Sequence, residues 1–180
     1  MHALSRLPPP PGPRLPAATG GALATRLQGK YPDRITGALT IPAREGCYAP
    51  FPDDLPPPLA RALRNRGLER LYSHQAEAWA ASQRREDLVV VTPTASGKTL
   101  CYTLPVVAAA LGDRSKALYL FPTKALAQDQ VAELLELNQA GGLGLRAATF
   151  DGDTPGDQRQ AIRLGGDIVV TNPDMLHQGI

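Results

Sequence analysis

The sequence predicts an α/β fold, in which a parallel sheet flanked by helices follows a proline-rich arm. Thirteen of the eighteen prolines lie in residues 1–58, so regular structure should be concentrated after them. From Leu71 onward, short apolar runs rich in Val, Leu and Ala alternate with segments of helical periodicity. This alternation is typical of parallel strands joined by right-handed helical crossovers.

The 180 residues can hold one domain and a flanking arm. We expect residues 1–54 to be a partly disordered, basic arm and residues 55–180 to be the domain. Residues 1–70 carry ten Lys and Arg against five Asp and Glu, whereas the remainder carries nine against twelve. This asymmetry suggests either a polyanionic partner or merely a solvated arginine-rich linker, and the sequence leaves both open.

Within the arm, Leu7–Pro16 is predicted to be disordered or polyproline-like, and Asp33–Ile41 is expected to be a short strand or an extended segment. Pro57–Arg66 is predicted to be the first helix, ended by Gly67. Ser73 is expected to cap the next helix, which runs from His74 to about Arg84. The predicted strands are Leu88–Thr92, Lys116–Phe121, Leu145–Phe150 and Asp167–Thr171. The predicted helices associated with them are Lys98–Leu111, Thr123–Gln139, Pro155–Leu164 and one that begins at Pro173.

The segment from Leu88 to Thr99 has the strand, loop and helix order of a phosphate-binding loop. In such a loop, successive backbone N–H groups and the positive end of the following helix surround phosphate oxygens. Gly97 permits close approach, Lys98 would reach the β- and γ-phosphates, and the Thr99 hydroxyl would bind Mg²⁺. The pattern departs from the usual one at Thr92, where a glycine is expected. The predicted nucleotide-binding residues of the loop are Thr94, Ala95, Ser96, Gly97, Lys98 and Thr99.

Three further polar stretches follow predicted strands and should meet at one rim of the sheet, where open parallel sheets bind ligands. They are Pro122-Thr123-Lys124, Asp151-Gly152-Asp153-Thr154 and Thr171-Asn172-Pro173-Asp174. Such groups can contact a sugar–phosphate backbone without reading bases. Each stretch taken alone is also compatible with a helix cap or a turn.

In this order the motifs resemble those of superfamily 2 helicases. Leu71-Tyr72-Ser73-His74-Gln75 resembles the Q motif, Thr94–Thr99 motif I, and Pro122–Leu126 motif Ia. The two later stretches resemble nucleic-acid-contacting motifs. The residues of these motifs are most similar to those of bacterial DEAD/DEAH-box helicases of the mitomycin-repair type, which carry a C-terminal zinc-binding region. The resemblance covers about residues 55–180 and implies a partial RecA-like domain that uses ATP and Mg²⁺.

The resemblance also implies residue roles. Gln75 would contact the adenine edge, because its amide can both donate and accept, and either Tyr72 or Phe51 would stack on the base. Lys98 and Thr99 would serve catalysis through the phosphates and Mg²⁺. The residues implied to face nucleic acid, DNA rather than RNA, are Pro122, Thr123, Lys124, Gly152, Asp153 and Thr171. A role in DNA repair is possible on the same ground.

The chain departs from the family in lacking a DEAD or DExH tetrapeptide, a second RecA-like domain and its arginine finger. We therefore expect an N-terminal piece of a helicase, which alone would not turn over ATP. Two alternatives stay open: a P-loop NTPase with no nucleic-acid substrate, and a non-catalytic nucleic-acid-binding remnant. Cys47 and Cys101 form no metal-binding spacing, and no apolar run has the length of a membrane span, so we expect a cytoplasmic protein.

Overall fold

The computed structural model describes residues 20–37, 39, 45–94 and 96–179. The predicted disordered or polyproline-like segment Leu7–Pro16 lies outside these residues, as do residues 38, 40 and 41 of the segment Asp33–Ile41. Residues 33 and 34 belong to a turn, and residues 35–37 to no helix or strand, so the described part of Asp33–Ile41 contains no strand. The residues from Gly46 onward form one compact unit, and the described residues up to Glu45 belong to another. The predicted boundary between residues 54 and 55 remains a prediction.

Helices make up most of the regular structure in the described part of the chain, where five short strands also occur. The helices are α1 (Gly20–Lys30), α2 (Pro57–Asn65), α3 (Ser73–Gln83), α4 (Thr99–Gly112), α5 (Lys124–Gly141), α6 (Gly156–Gly165) and α7 (Pro173–Gly179). The strands are β1 (Tyr48–Ala49), β2 (Leu71–Tyr72), β3 (Ala117–Leu120), β4 (Ala147–Thr149) and β5 (Ile168–Thr171).

The predicted parallel sheet is confirmed by three strands in the order β3-β5-β4. Both neighbours run parallel to β5, and Val169 lies opposite Leu118 on one side and Ala148 on the other. β5 is the most buried strand, since Ile168 and Val170 are almost fully enclosed. An apolar strand with a partner on each edge is typical of a parallel sheet covered by helices.

The prediction of a sheet strand at Leu88–Thr92 is wrong for the described structure. The segment is not a strand, and it pairs with none of the described strands. Val89 and Val91 are 90% and 89% exposed. A run of β-branched residues favours an extended backbone, but a ladder also requires a partner strand, and none of the described strands pairs with this segment.

Three other differences concern the first half of the chain. The arm contains α1, a helix that the sequence analysis did not predict and that has no buried residue. β1 and β2 form an antiparallel pair, with Tyr48 opposite Tyr72. The expected cap Ser73 is instead the first residue of α3, and Tyr72 occupies the N-cap position.

The core lies between the helices and the sheet of the second unit. α2 packs on α5, and α3 packs on α4. The predicted ends of α2 and α5 are confirmed, because Gly67 follows α2 with φ of 80° and Gly142 ends α5 in the left-handed region. The most enclosed apolar side chains are Leu59, Leu63, Leu71, Leu104, Val107, Leu137, Ile168 and Val170. Among the described residues, no helix has the length and apolar character needed to cross a bilayer.

An ion pair between Arg146 and Asp167 joins the segments that precede β4 and β5. The Asp167 carboxylate accepts hydrogen bonds from the Arg146 backbone N–H at 2.8 Å and from its guanidinium at 3.2 and 3.3 Å. The carboxylate is 24% exposed, and these bonds hold the pKa of Asp167 below its usual value. The pair fixes the segment before β4 against the segment before β5.

The Asp167→Asn variant should therefore be less stable by about 1 kcal/mol at pH 7, because charge-assisted hydrogen bonds are lost. A carboxylate with a lowered folded-state pKa stabilises fully above its unfolded pKa of about 4 and loses that effect as pH falls through the folded value. Urea unfolding from pH 7 to pH 2.5 should show the difference shrinking towards acid. Asp129→Asn, at an exposed carboxylate of α5, is the control, and a difference independent of pH would contradict the assignment.

Candidate functional site

The loop before α4 is closed by its own side chains. The Lys98 ammonium donates to the Thr92 and Pro93 carbonyl oxygens, both at 2.7 Å. The Thr92 and Ser96 hydroxyls are 2.6 Å apart and share a hydrogen bond. Thr92, which stands where the usual pattern has glycine, thus helps to brace the loop through its hydroxyl. The predicted binding residue Ala95 lies outside the described residues, and Thr94 is exposed.

Gly97 is the point at which the loop requires glycine. Its φ is 77°, in the left-handed region that favours residues without a side chain. A Cβ on Gly97 would lie 2.7 Å from the Gln75 Nε2 atom, which is shorter than any normal contact. A side chain at this position would therefore displace the Gln75 amide from the loop, and the positive φ would strain the backbone of any residue with a Cβ.

Gln75 joins the loop to the start of α3. Its side chain is 3% exposed; Oε1 accepts from the Tyr72 backbone N–H at 2.9 Å, and Nε2 donates to the Gly97 carbonyl at 2.7 Å. The amide therefore uses one donor and one acceptor within the protein. The contact with adenine implied by the resemblance stays a prediction, and it has to be made with what remains of this amide.

Aromatic rings form a shelf beside Gly97. Tyr72 stacks on Tyr48 with centroids 4.9 Å apart and on His74 at 5.6 Å, and the Arg70 guanidinium lies 3.9 Å from the Tyr48 centroid. A hydrogen bond with Tyr48 and repulsion from the negative charge that Tyr48 carries when ionised raise the pKa of Tyr72. A cleft of about 440 Å³ opens here. It is lined by Tyr48, Gly67, Leu68, Glu69, Arg70, Tyr72, Gln75, Gly97, Thr99, Leu100 and Glu133.

The structure separates the two aromatic candidates that the sequence left open. Tyr72 is 37% exposed and lines the cleft. Phe51 packs against the core, and the Arg64 guanidinium lies 5.3 Å from its ring. Sequence reasoning missed Tyr48, because its place beside Tyr72 depends on the pairing of β1 with β2, which no local pattern indicates.

The N-terminus of α4 differs from that of α5. No described side chain caps α4, whose N-cap residue is Lys98, whereas Thr123 caps α5 by accepting from the Leu126 backbone N–H at 3.3 Å. Half-buried Thr99 is the first residue of α4. The uncapped start of α4, the Lys98 ammonium and the Thr92 and Ser96 hydroxyls can donate hydrogen bonds to phosphate oxygens. The Thr99 hydroxyl suits a hard cation such as Mg²⁺.

The predicted rim residues fall into two groups. Pro122, Thr123, Gly152 and Asp153 are exposed, and the half-buried Lys124 forms ion pairs with Asp153 and, at 3.8 Å, with Asp151. Thr171 is 3% exposed and donates to the Phe150 carbonyl at 2.5 Å. This contact is structural, since it joins β5 to the residue after β4, and a contact of Thr171 with nucleic acid remains an untested prediction.

A parallel α/β sheet with a Gly-Lys-Thr loop before an uncapped helix places the chain in the class of P-loop nucleotide-binding domains. The model of the DEAD/DEAH box helicase family matches residues 72–180. The chain therefore belongs to the DEAD/DEAH box helicase family.

Individual relatives agree with this membership. The chain is 50% identical over 141 residues to the ATP-dependent helicase YprA of Bacillus subtilis (strain 168), covering 78% of this chain and 19% of YprA. It is 42% identical over 145 residues to the ATP-dependent helicase hrq1 of Schizosaccharomyces pombe, covering 78% of this chain and 14% of hrq1. The chain thus spans no more than about a fifth of the length of these relatives.

Solved structures share the fold. The crystal structure of the DUF1998 helicase MrfA bound to DNA and AMPPNP matches with a TM-score of 0.74 and 50% identity, over 78% of this chain and 20% of MrfA. A DEAD box protein from the hyperthermophile Methanococcus jannaschii matches with a TM-score of 0.60 and 26% identity, over 70% of this chain and 36% of that protein. The predicted RecA-like α/β fold is confirmed by these similarities.

The two glycines of the site should respond differently to alanine. Gly97→Ala should destabilise the chain by about 1–2 kcal/mol, because a Cβ in the left-handed region is strained and here also meets Gln75. Gly152→Ala is the matched control, because a Cβ there would meet nothing within 4 Å. Its stability should change by less than about 1 kcal/mol. Thermal melting of both variants measures the contrast, and equal losses would contradict the assigned loop geometry.

Proposed function

We propose that this chain is the ATP-binding part of an ATP-dependent helicase or translocase that acts on nucleic acid, DNA rather than RNA. The observation that carries the proposal is the loop at the start of α4. Lys98 and Thr99 stand there at an uncapped helix N-terminus, and buried Gln75 holds the loop backbone from behind. The ATP-dependent helicases to which the chain is similar supply the reaction class.

The phosphate end of the site depends on Lys98. Its ammonium donates to two loop carbonyls and is thereby held beside the start of α4. Phosphate oxygens are stronger acceptors than carbonyls, so Lys98 would exchange the Thr92 and Pro93 carbonyls for them. Thr99 would hold Mg²⁺ through its hydroxyl, and the ion would supply positive charge that offsets the charge of the phosphates.

The base end of the site depends on the aromatic shelf. Tyr72 presents an exposed ring edge to the cleft next to Gly97, and Tyr48 extends the same stack. Tyr48 and His74 already stack on the Tyr72 ring, so a purine would meet the exposed part of that ring in an edge-to-face contact. We therefore assign the aromatic contact with the base to Tyr72 rather than to Phe51, and hydrogen bonding to the base to Gln75.

Nucleic acid would bind at the rim formed by Thr123, Lys124, Gly152 and Asp153. The support is twofold: the rim carries a lysine and an exposed glycine, and the similar helicase MrfA has been crystallised with DNA. Asp151 and Asp153 neutralise Lys124 in the free chain, so a backbone phosphate has to displace these carboxylates. Contacts of this kind position a strand without reading its sequence.

Turnover is a property of the longer protein in this proposal. Alignment of the attacking water and an arginine finger together account for several orders of magnitude in rate, and the proposed finger belongs to a second RecA-like domain. Nucleotide binding between two such domains would close them on the strand, and hydrolysis would release it.

We place the protein in the cytoplasm, with a role in DNA repair.

Replacing Lys98 tests the phosphate assignment. Lys98→Ala should weaken Mg-ATP binding at least about tenfold, because a charge-assisted contact to phosphate is lost. Isothermal titration calorimetry measures the affinity. Lys124→Ala, at the rim, is the control and should bind ATP as the wild type does. Unchanged affinity in Lys98→Ala would contradict the phosphate-loop assignment.

Replacing the two partners of the Lys124–Asp153 ion pair should change DNA binding in opposite directions. Lys124→Ala should weaken binding of single-stranded DNA and reduce the slope of log K against log salt by about 0.7, as the loss of one phosphate contact requires. Asp153→Asn should strengthen binding by about two- to fivefold, because an exposed competing carboxylate is removed. Fluorescence anisotropy over a salt series measures both, and weaker binding by Asp153→Asn would refute this account of the rim.

A further inference from the structure

We propose that Arg159 is a positioning residue for nucleic-acid binding, because it orients the peptide groups of the loop Asp151–Thr154 so that an N–H donor faces the strand. This inference rests on the proposed function and assigns a role to a residue outside the motifs. Arg159 lies in the first turn of α6, five residues beyond Thr154.

The Arg159 guanidinium binds three carbonyls of that loop. Nε donates to the Thr154 carbonyl at 2.8 Å, and one terminal nitrogen donates to the carbonyls of Asp151 at 3.3 Å and Gly152 at 3.1 Å. The guanidinium carbon Cζ of Arg159 lies 5.7 Å from the centroid of the Phe150 ring. A planar fork of donors can serve several acceptors at once, which an ammonium cannot do with the same geometry.

The position of this cation is unfavourable for the helix alone. A positive charge in the first turn of a helix opposes the helix dipole, which is positive at that end. The three carbonyl oxygens offset this cost with negative partial charge. The arrangement thus specifies the loop conformation and leaves Arg159 half-buried beneath it.

The consequence for the loop follows from peptide geometry. No described peptide bond is cis, and in a trans peptide the C=O and N–H groups point in opposite directions. Because the Asp151 carbonyl points at Arg159, the Gly152 N–H points away from it. No acceptor for that N–H occurs in the part of the chain that the structure describes. Gly152 is exposed and has open space where a Cβ would lie, so a phosphate oxygen can reach the donor.

Two other backbone N–H groups of the loop already have hydrogen-bond acceptors. The Asp151 N–H donates to the Thr154 hydroxyl at 2.9 Å, and the Asp153 N–H donates to the Asp151 carboxylate at 2.9 Å. Without the Arg159 fork, the Gly152 carbonyl would be free to turn towards the rim, and the Asp151 carbonyl would keep only its hydrogen bond from the Thr154 N–H at 3.2 Å. A carbonyl oxygen repels phosphate where an N–H group binds it.

The test must separate positioning from a direct contact between Arg159 and phosphate. Single-stranded DNA binding is measured by fluorescence anisotropy over a salt series for the wild-type chain, Arg159→Ala, Arg159→Lys and Gln160→Ala. Gln160 is the exposed neighbour on the same helix and serves as the control. Thermal melting identifies the folded variants, and Mg-ATP affinity should equal that of the wild type in all of them.

A positioning role predicts that Arg159→Lys and Arg159→Ala both weaken DNA binding by about five- to tenfold, because lysine keeps the charge and loses the fork. The salt slope should stay at the wild-type value, since Gly152 N–H is a neutral donor. The proposal is overturned if lysine restores affinity, if the slope of Arg159→Ala falls by about 0.7, or if neither variant changes binding. Lack of DNA binding by the wild type would instead refute the proposed function, and this inference with it.

Discussion

The side-chain amide of Gln75 is the interaction on which the candidate site depends. It accepts from the backbone N–H of Tyr72, the N-cap residue of α3, at 2.9 Å and donates to the Gly97 carbonyl at 2.7 Å. Breaking either bond would leave a buried polar group of the amide without a partner, which costs about 1–3 kcal/mol. They hold the Gly-Lys-Thr loop against α3, next to the shelf on which Tyr72 lies. The phosphate end and the base end of the site are thereby kept in one arrangement.

Much of the fold follows from patterns within single segments. Apolar periodicity placed α2, α4, α5 and α6 within about a turn of their observed ends, and glycines after α2 and α5 marked where each helix ends. The parallel sheet followed from the alternation of strands and helices. The Gly-Lys-Thr loop was predictable too, because its chemistry depends on neighbouring residues in the chain.

Features that depend on distant residues escaped sequence reasoning. Leu88–Thr92 has the composition of a sheet strand, yet pairing is a property of two strands and the described ones lie elsewhere. Tyr48 meets Tyr72 only because β1 pairs with β2, and Thr171 is buried because its hydroxyl reaches the Phe150 carbonyl. Arg159 carries no motif signal, since its partners are backbone carbonyls that any residue would supply.

The measurement that tests the central claim most directly is a titration of the ¹⁵N-labelled chain with Mg-ATP, followed by amide chemical shifts. The account predicts that the largest shifts fall on Gly97–Leu100 and on Tyr72, because the phosphates meet the start of α4 and the base meets the aromatic shelf. Titration with adenosine should move Tyr72 and leave Gly97–Leu100 nearly unchanged. Shifts that are absent from these residues, or concentrated elsewhere in the chain, would contradict the assignment of a nucleotide site to this loop.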